Sequence, residues 1–315
     1  MSNVYPPISR MIAGIVEIEF RMEAKTGLII RAPLAKTVIG GADQQPMSIR
    51  LKYIINDREE EIEVPYIPGS SLKGRMRSLL ELYEGAMLYS SDGKIYLHAR
   101  DLRPTAKACK DIRHALDNLF GSPSIQSKEL KGANEQLFKD LIELYAPTRL
   151  IVRDMYPTKE YIEKLYKLKG SRGMIIFDDF LEEKTENRID RITSAADPRT
   201  IYRIRPGVEF EGNINIVLYD VDVDPNKLGA IKEYLRLVAT GLKLVEDTYL
   251  GGAGTRGYGK VEFKNITIRL KTRDYYITGD PSHIIELKKN IKSVEELLRS
   301  IDEIYEGIIL HVKAK

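Results

Sequence analysis

Leu228, Ile231, Leu235, Val238 and Leu242 recur at spacings of 3, 4, 3 and 4, and the stripe they form leads into LGGAGTRGYGKVEF, residues 250 to 263. The spacing predicts an amphipathic helix opened by Asp224 at the cap and Pro225 in the first turn. A glycine loop entering a strand follows it. That order disfavours two phosphate-binding signatures the loop imitates. Gly252-Ala-Gly254-Thr-Arg-Gly257 fits G-x-G-x-x-G, and Gly254 to Lys260 spells G-x-x-x-x-G-K. Both need the loop to open a helix, and the second also needs a hydroxyl where Val261 stands.

Upstream, residues 12 to 20 alternate, with Ile12, Gly14, Val16, Ile18 and Phe20 on one side and Glu17 and Glu19 on the other, which predicts a strand with one wet face. Pro68-Gly69-Ser70-Ser71 opens a first helix carrying Leu72, Met76, Leu79, Leu80 and Tyr83. Residues 149 to 156 and 208 to 220 read as strands. The order strand, helix, strand, strand, helix, strand is that of a ferredoxin-like (RNA-recognition-motif-like) α+β core. Residues 1–85 and 148–270 are assigned to it. Residues 86–147 form a helical insertion, or lid, with helices over 107 to 120 and 134 to 145. Residues 271–315 form a C-terminal helical extension, capped by Ser293 with Glu296.

The net charge is only +3 in 315 residues, so any basic surface is local. With 43% hydrophobic and 30% charged residues the chain is neither disordered nor a disulfide scaffold. Cys109 is its one cysteine, which excludes an internal disulfide. No apolar run reaches the roughly 20 residues a membrane span needs. A cytoplasmic location without membrane contact is expected.

Three segments carry candidate chemistry. Arg256 to Phe263 matches the RNA-recognition octamer except at Lys260, which replaces an aromatic residue. Alternation would put Tyr258 and Lys260 on one face for stacking and phosphate contact, with Val261 and Phe263 inward; a plain backbone turn is the alternative. The first-helix entry presents Ser70 and Ser71, followed by Lys73, Arg75 and Arg77, a setting that suits phosphate or an ordinary solvated basic face. Between Lys184 and Pro206, Lys184, Arg188, Arg191, Arg199, Arg203 and Arg205 outnumber Glu186, Asp190 and Asp197. An arginine-bearing projection of this kind can track a nucleic-acid backbone, or be a plain surface hairpin. His98, His114, His283 and His311 show no paired ligand spacing.

Together the segments TGL (26 to 28), IGGAD (39 to 43), PYIPGSSLKGRMRSLLE (65 to 81), LFGS (119 to 122), RLIVRD (149 to 154), ENRIDRITSAADPRTIYRIRPGVEFE (186 to 211) and YLGGAGTRGYGKVEF (249 to 263) resemble the RAMP superfamily, specifically the backbone subunit of type III-A (Csm-type) CRISPR effector complexes. The resemblance implies a subunit that polymerises, with further copies or paralogues and other subunits, along a CRISPR RNA. It implies a thumb β-hairpin, about residues 180–206, pushed between guide and target RNA. It also implies metal-dependent cleavage of the target by the loop aspartate, here Asp43, with Mg2+ or another divalent metal. Ser70, Ser71, Lys73, Arg75, Arg77, Arg188, Arg191, Arg199, Arg203, Arg256, Tyr258 and Lys260 would then contact RNA. Ile29 stands where family members usually carry a histidine, and Gln44-Gln45-Pro46-Met47 replaces their short D-[NS]-P-V continuation. The alternative is a catalytically silent RNA-binding assembly subunit.

Overall fold

The computed structural model describes residues 9–32, 44–90, 93–101, 108–122, 135–170 and 173–312. Strand β1 (Ile12–Ala24) runs through the middle of the main sheet. It buries Val16, Ile18, Phe20 and Met22 on one face and turns Glu17, Glu19, Arg21 and Glu23 to the other, as alternation requires.

A hairpin of β2 (Ser48–Ile55) and β3 (Arg58–Pro65) follows β1 and leads into helix α1 (Gly69–Tyr83). The insertion contributes α2 (Ala115–Phe120) and α3 (Glu135–Leu144). Next come β4 (Leu150–Val152), β5 (Tyr156–Pro157) and α4 (Lys159–Lys169). A second hairpin pairs β6 (Leu181–Ile189) with β7 (Ala196–Ile204). Strand β8 (Glu209–Tyr219), the short α5 (Asp220–Val223), α6 (Ile231–Asp247) and β9 (Val261–Thr272) complete the central region. The chain closes with α7 (Arg273–Thr278), β10 (Ile284–Ile291), α8 (Val294–Arg299) and α9 (Ile301–His311).

The sheet order is β10-β9-β1-β8-β4, with β5 also on β8, and each of its pairings is antiparallel. Helices α1 and α6 contact each other and close the core, into which Leu72, Met76, Leu80, Leu235, Val238 and Leu242 are buried. Phe20 and Phe263 meet edge to face with centroids 5.2 Å apart. Fully burying one such ring contributes about 1.5–3 kcal/mol. On the opposite face, Lys264 reaches Glu23 and Glu209, Arg269 reaches Glu19 and Lys271 reaches Glu17. Burial pushes the Glu17 carboxyl up, but hydrogen bonds from Lys271 and Asn213 outweigh it and hold it below its ordinary range.

Three sequence expectations are corrected here. The helix expected over 107 to 120 shrinks to α2, because Cys109 bridges to Arg100 and its carbonyl accepts the Asp101 amide, drawing that stretch into extended pairing. The helix expected from Asp224 starts only at Ile231. Asp224 Oδ1 accepts the Asn226 amide in a tight turn, and Gly229 has φ +54°. The C-terminal extension is not purely helical, since β10 adds an edge strand. Its Ser293 cap does form, with Oγ accepting the Glu296 amide at 3.3 Å, but the helix breaks at Ser300. The hairpin β2–β3 and helix α4 have no counterpart in the sequence reading. Among the described residues, no helix is long and apolar enough to cross a membrane.

Candidate nucleic-acid interface

Pro68, in extended backbone, ends the approach to α1, and the Gly69 amide is taken by Asp154 Oδ1 at 2.7 Å. With Leu72, Met76 and Leu80 buried, the other flank of α1 presents Ser70, Ser71, Gly74, Arg75 and Ser78. These line an open groove of about 610 Å³ whose far wall is Ile30, Arg31, Gly251 and Gly252. Arg75 fixes the two walls together: its Nε donates to the Tyr249 carbonyl at 3.0 Å and its guanidinium lies 4.0 Å from the Tyr249 ring centre.

The glycine loop is a folded-back turn. Leu250 donates to Gly259 at 2.8 Å, Gly252 to Ile29 at 2.9 Å and Gly259 to Gly27 at 2.9 Å. Gly259 has φ +75°, and a Cβ there would lie 2.1 Å from the Leu250 carbonyl oxygen, so only glycine fits. One 3₁₀ turn (Gly254–Arg256) precedes β9, and no helix follows the loop, as its order in the sequence predicts.

Of the first-helix cations, only Arg75 borders the groove. Lys73 and Arg77 depart from the expected phosphate-facing role because carbonyls of the body take their donors. Lys73 Nζ donates to Leu150 at 2.8 Å, and burial, with Arg77 nearby, pulls its pKa down. Arg77 donates to Glu81, Gly121 and His98.

In the β6–β7 hairpin, Arg191 and Ile192 are exposed in the connecting turn, Ile192 at 94%. Arg188 pairs with Asp197 at 2.7 Å in open solvent. Nearer the root, Arg203 Nε donates to Glu182 at 2.7 Å, and Arg199 donates to Glu186 at 3.2 Å. Arg203 packs over Gly27, where a Cβ would lie 2.0 Å from its Nε. Val261 and Phe263 face inward as expected.

Tyr258 does not offer its ring for stacking, which corrects the octamer reading. It is 1% exposed, covered by the hairpin, with Lys184 Nζ and the Arg203 guanidinium each 4.4 Å from its centroid. Its hydroxyl donates to Glu186 Oε1 at 2.7 Å, a bond that holds the Glu186 carboxyl below its ordinary range. Lys260 is exposed, but its Nζ donates to the Glu246 carbonyl and its amide to Thr26 Oγ1. Alternation predicts faces within a sheet; it does not encode that a second hairpin lies over one of them.

Asp43 lies outside the described residues. The chain on either side is placed: Ala32 donates to Gln45 at 3.0 Å, Met47 to Ile30 at 2.9 Å and Tyr202 to Gln44 at 3.1 Å. Ile29 is 1% exposed and packs with Ile201 and Tyr258. Arg31 lies in no quoted motif and sequence reading missed it, while Glu186 was read only as an acidic residue of the basic run. The histidine reading is also corrected. His98 Nε2 and His114 Nδ1 each come 3.1 Å from Asp117 Oδ2, giving three ligand atoms within 4.8 Å that could hold a cation. The one sequence hint was the i,i+3 spacing of His114 and Asp117. The cluster adjoins Arg77 on the body side of α1. The described groove lining holds no carboxylate.

A sequence profile of the RAMP superfamily matches residues 21–262. The chain belongs to that superfamily. Within it, the chain is similar to the CRISPR system Cms endoribonuclease Csm3 of Methanothermobacter thermautotrophicus, 37% identical over 80% of this chain and 84% of that one. It is also similar to the protein of the same name from Methanocaldococcus jannaschii, 31% identical over 94% of this chain and 97% of that one. The crystal structure of Methanopyrus kandleri Csm3 shares the fold at a TM-score of 0.50 and 18% identity, covering 94% of this chain and 98% of that one.

Proposed function

We propose that this chain is a guide-RNA-binding backbone subunit of a type III CRISPR effector complex and that it cleaves guide-matched target RNA. The observation that carries the reading is 37% identity over four-fifths of the chain to an endoribonuclease of that system, in a chain whose α1 and glycine loop wall an open, arginine-bordered groove. The strand order β9-β1-β8-β4 supports a ferredoxin-like core, residues 1–85 and 148–270, with 86–147 as lid. The β6–β7 hairpin is read as the thumb, and Arg188, Arg191 and Ile192 as its RNA-facing residues.

Chemistry at Asp43 needs one carboxylate. With a target nucleotide splayed from its neighbour, the ribose 2′-oxygen attacks the adjacent phosphorus in line. The 2′-O–P bond forms as the P–O5′ bond breaks, and Asp43 takes the 2′-hydroxyl proton. The leaving 5′-oxygen takes a proton from water, and the products are a 2′,3′-cyclic phosphate and a 5′-hydroxyl. A divalent ion would have Asp43 as its proposed protein ligand, because the described groove lining contributes no carboxylate, and it would neutralise phosphate charge when bound. The test is cleavage of a guide-matched RNA by the assembled complex, with the product ends identified. Binding without cleavage would favour the silent-subunit reading, which the apolar burial of Ile29, at the position where the family resemblance leads one to expect a histidine, supports.

A further inference from the structure

Midway along the β6–β7 hairpin, where Glu186 pairs with Arg199, lies a charge cluster separate from the groove. Four donors converge on one carboxylate, Glu186. Tyr258 Oη is 2.7 Å from Oε1 and Lys184 Nζ 3.9 Å from it, while Arg199 and Arg256 lie 3.2 and 3.8 Å from Oε2. Three cations against one carboxylate leave the cluster net positive. The cations still reach water, with side chains 35%, 40% and 49% exposed for Lys184, Arg199 and Arg256, whereas Glu186 is 14% exposed. Arg199 Nε is buried and has no hydrogen-bond partner among the described residues. The carboxylate therefore sits beneath a fan of cations whose outer sides are open, and Tyr258 fixes its angle from below.

We propose that Lys184, Arg199 and Arg256 form a binding site for one RNA backbone phosphodiester midway along the hairpin, with Glu186 and Tyr258 as its positioning residues. The inference rests on the RNA-binding reading above and deepens it: Arg199 and Arg256 are among the contacts the resemblance implies, and Lys184 with the positioning role of Glu186 and Tyr258 is added. A phosphate meeting three oriented donors gains charge-assisted hydrogen bonds without displacing Glu186, because the fan carries more charge than one carboxylate neutralises. Without Glu186 the three cations would repel one another and disperse, and Tyr258 would lose its acceptor. Orientation and net charge thus make opposite demands on position 186, which makes the idea testable.

The test is fluorescence anisotropy of the full chain with a labelled single-stranded oligouridylate across a salt series. Each phosphate contact on a single strand contributes a slope of about 0.7 in log affinity against log salt. Lys184→Ala with Arg256→Ala should lower the slope by about 0.7. Glu186→Ala should weaken binding although it makes the protein more positive, whereas Glu186→Gln, which keeps an acceptor for Tyr258 and Arg199, should bind at least as tightly as wild type. Tighter binding by Glu186→Ala would overturn the positioning role, leaving Glu186 as a simple repulsive charge. Unchanged affinity and slope in the Lys184/Arg256 variant would remove the phosphate site while leaving the groove reading intact. Wild-type protein that holds no RNA would overturn both.

Discussion

The amide of Tyr202 donates to the carbonyl of Gln44, 3.1 Å away, and so ties the residue after Asp43 in the chain to strand β7 of the charged hairpin. Gln44 also bridges to Ile201, and Ile204 pairs with Leu28. Strand β7 is thus hydrogen-bonded to β6 along one edge and to two segments of the N-terminal region along the other. The segment proposed to cut and the hairpin proposed to part guide from target share one backbone support.

Asp43→Ala should remove target cleavage by about 100- to 10,000-fold, the usual cost of losing a general base, and leave guide binding unchanged. Single-turnover cleavage by complexes containing no other copy of the subunit checks this. An unaltered rate would move the chemistry to another residue.

Chelation by EDTA should stop cleavage while the RNA complex persists, since the divalent ion is proposed to act on the reacting phosphate and the groove contacts are hydroxyls and arginines. Gel-shift and cleavage assays on one sample separate the two effects. Full activity in EDTA would leave Asp43 acting as a base alone.

Arg199→Ala and Arg203→Ala should behave differently, although sequence alone treats them alike. The Arg199 side chain is 40% exposed and its loss should weaken RNA binding with a stability change within about 0.5 kcal/mol. Arg203 is 16% exposed, lies against Tyr258 and pairs with Glu182, so its loss should cost about 1 kcal/mol or more. Urea unfolding compared with RNA affinity for the two variants decides the matter.

Gly259→Ala should destabilise the protein by at least about 1–3 kcal/mol, because the added Cβ meets the Leu250 carbonyl and φ is positive. Gly257, also at positive φ but with no atom near its Cβ position, is the control and should cost less. Equal melting temperatures for the two variants would contradict the packing described for this loop.

Asp222→Ala should cost about 3–5 kcal/mol, the penalty for stranding a buried charge. Arg149 and Asp222 are both fully buried, paired at 3.0 Å, and Asp222 also accepts from Tyr234. Replacing Arg149 by Met together with Asp222 by Leu should recover most of the loss in denaturant titrations.

What could be read from the chain follows from which forces are local. Strand β1, the stripe on α6 and the glycine loop entering β9 were legible because burial on one face leaves a period in the sequence. Strand β10 was not: its IIELKKNI lies at the sheet edge, and only its last residue, Ile291, is buried, so no period is imposed. The basic run between residues 184 and 206 was legible as charge, but its pairing with Glu182 and Glu186 was not, since those bonds cross a hairpin. Tyr258 shows the same limit, buried by a segment more than fifty residues earlier in the chain. His98 joined His114 and Asp117 only through the fold of the insertion.

The charged outer face of the sheet has a consequence for assembly. Glu17, Glu19, Glu23 and Glu209 are matched there by Lys264, Arg269 and Lys271, which tiles the surface with neighbouring opposite signs and keeps it hydrated. A second copy could lie flat against it only by stripping water from every tile, and the reward for each new pairing would be cancelled by the one it broke. For the backbone subunit proposed above, one side that does not self-associate would give growth along the RNA a direction. This face is suited to be that side.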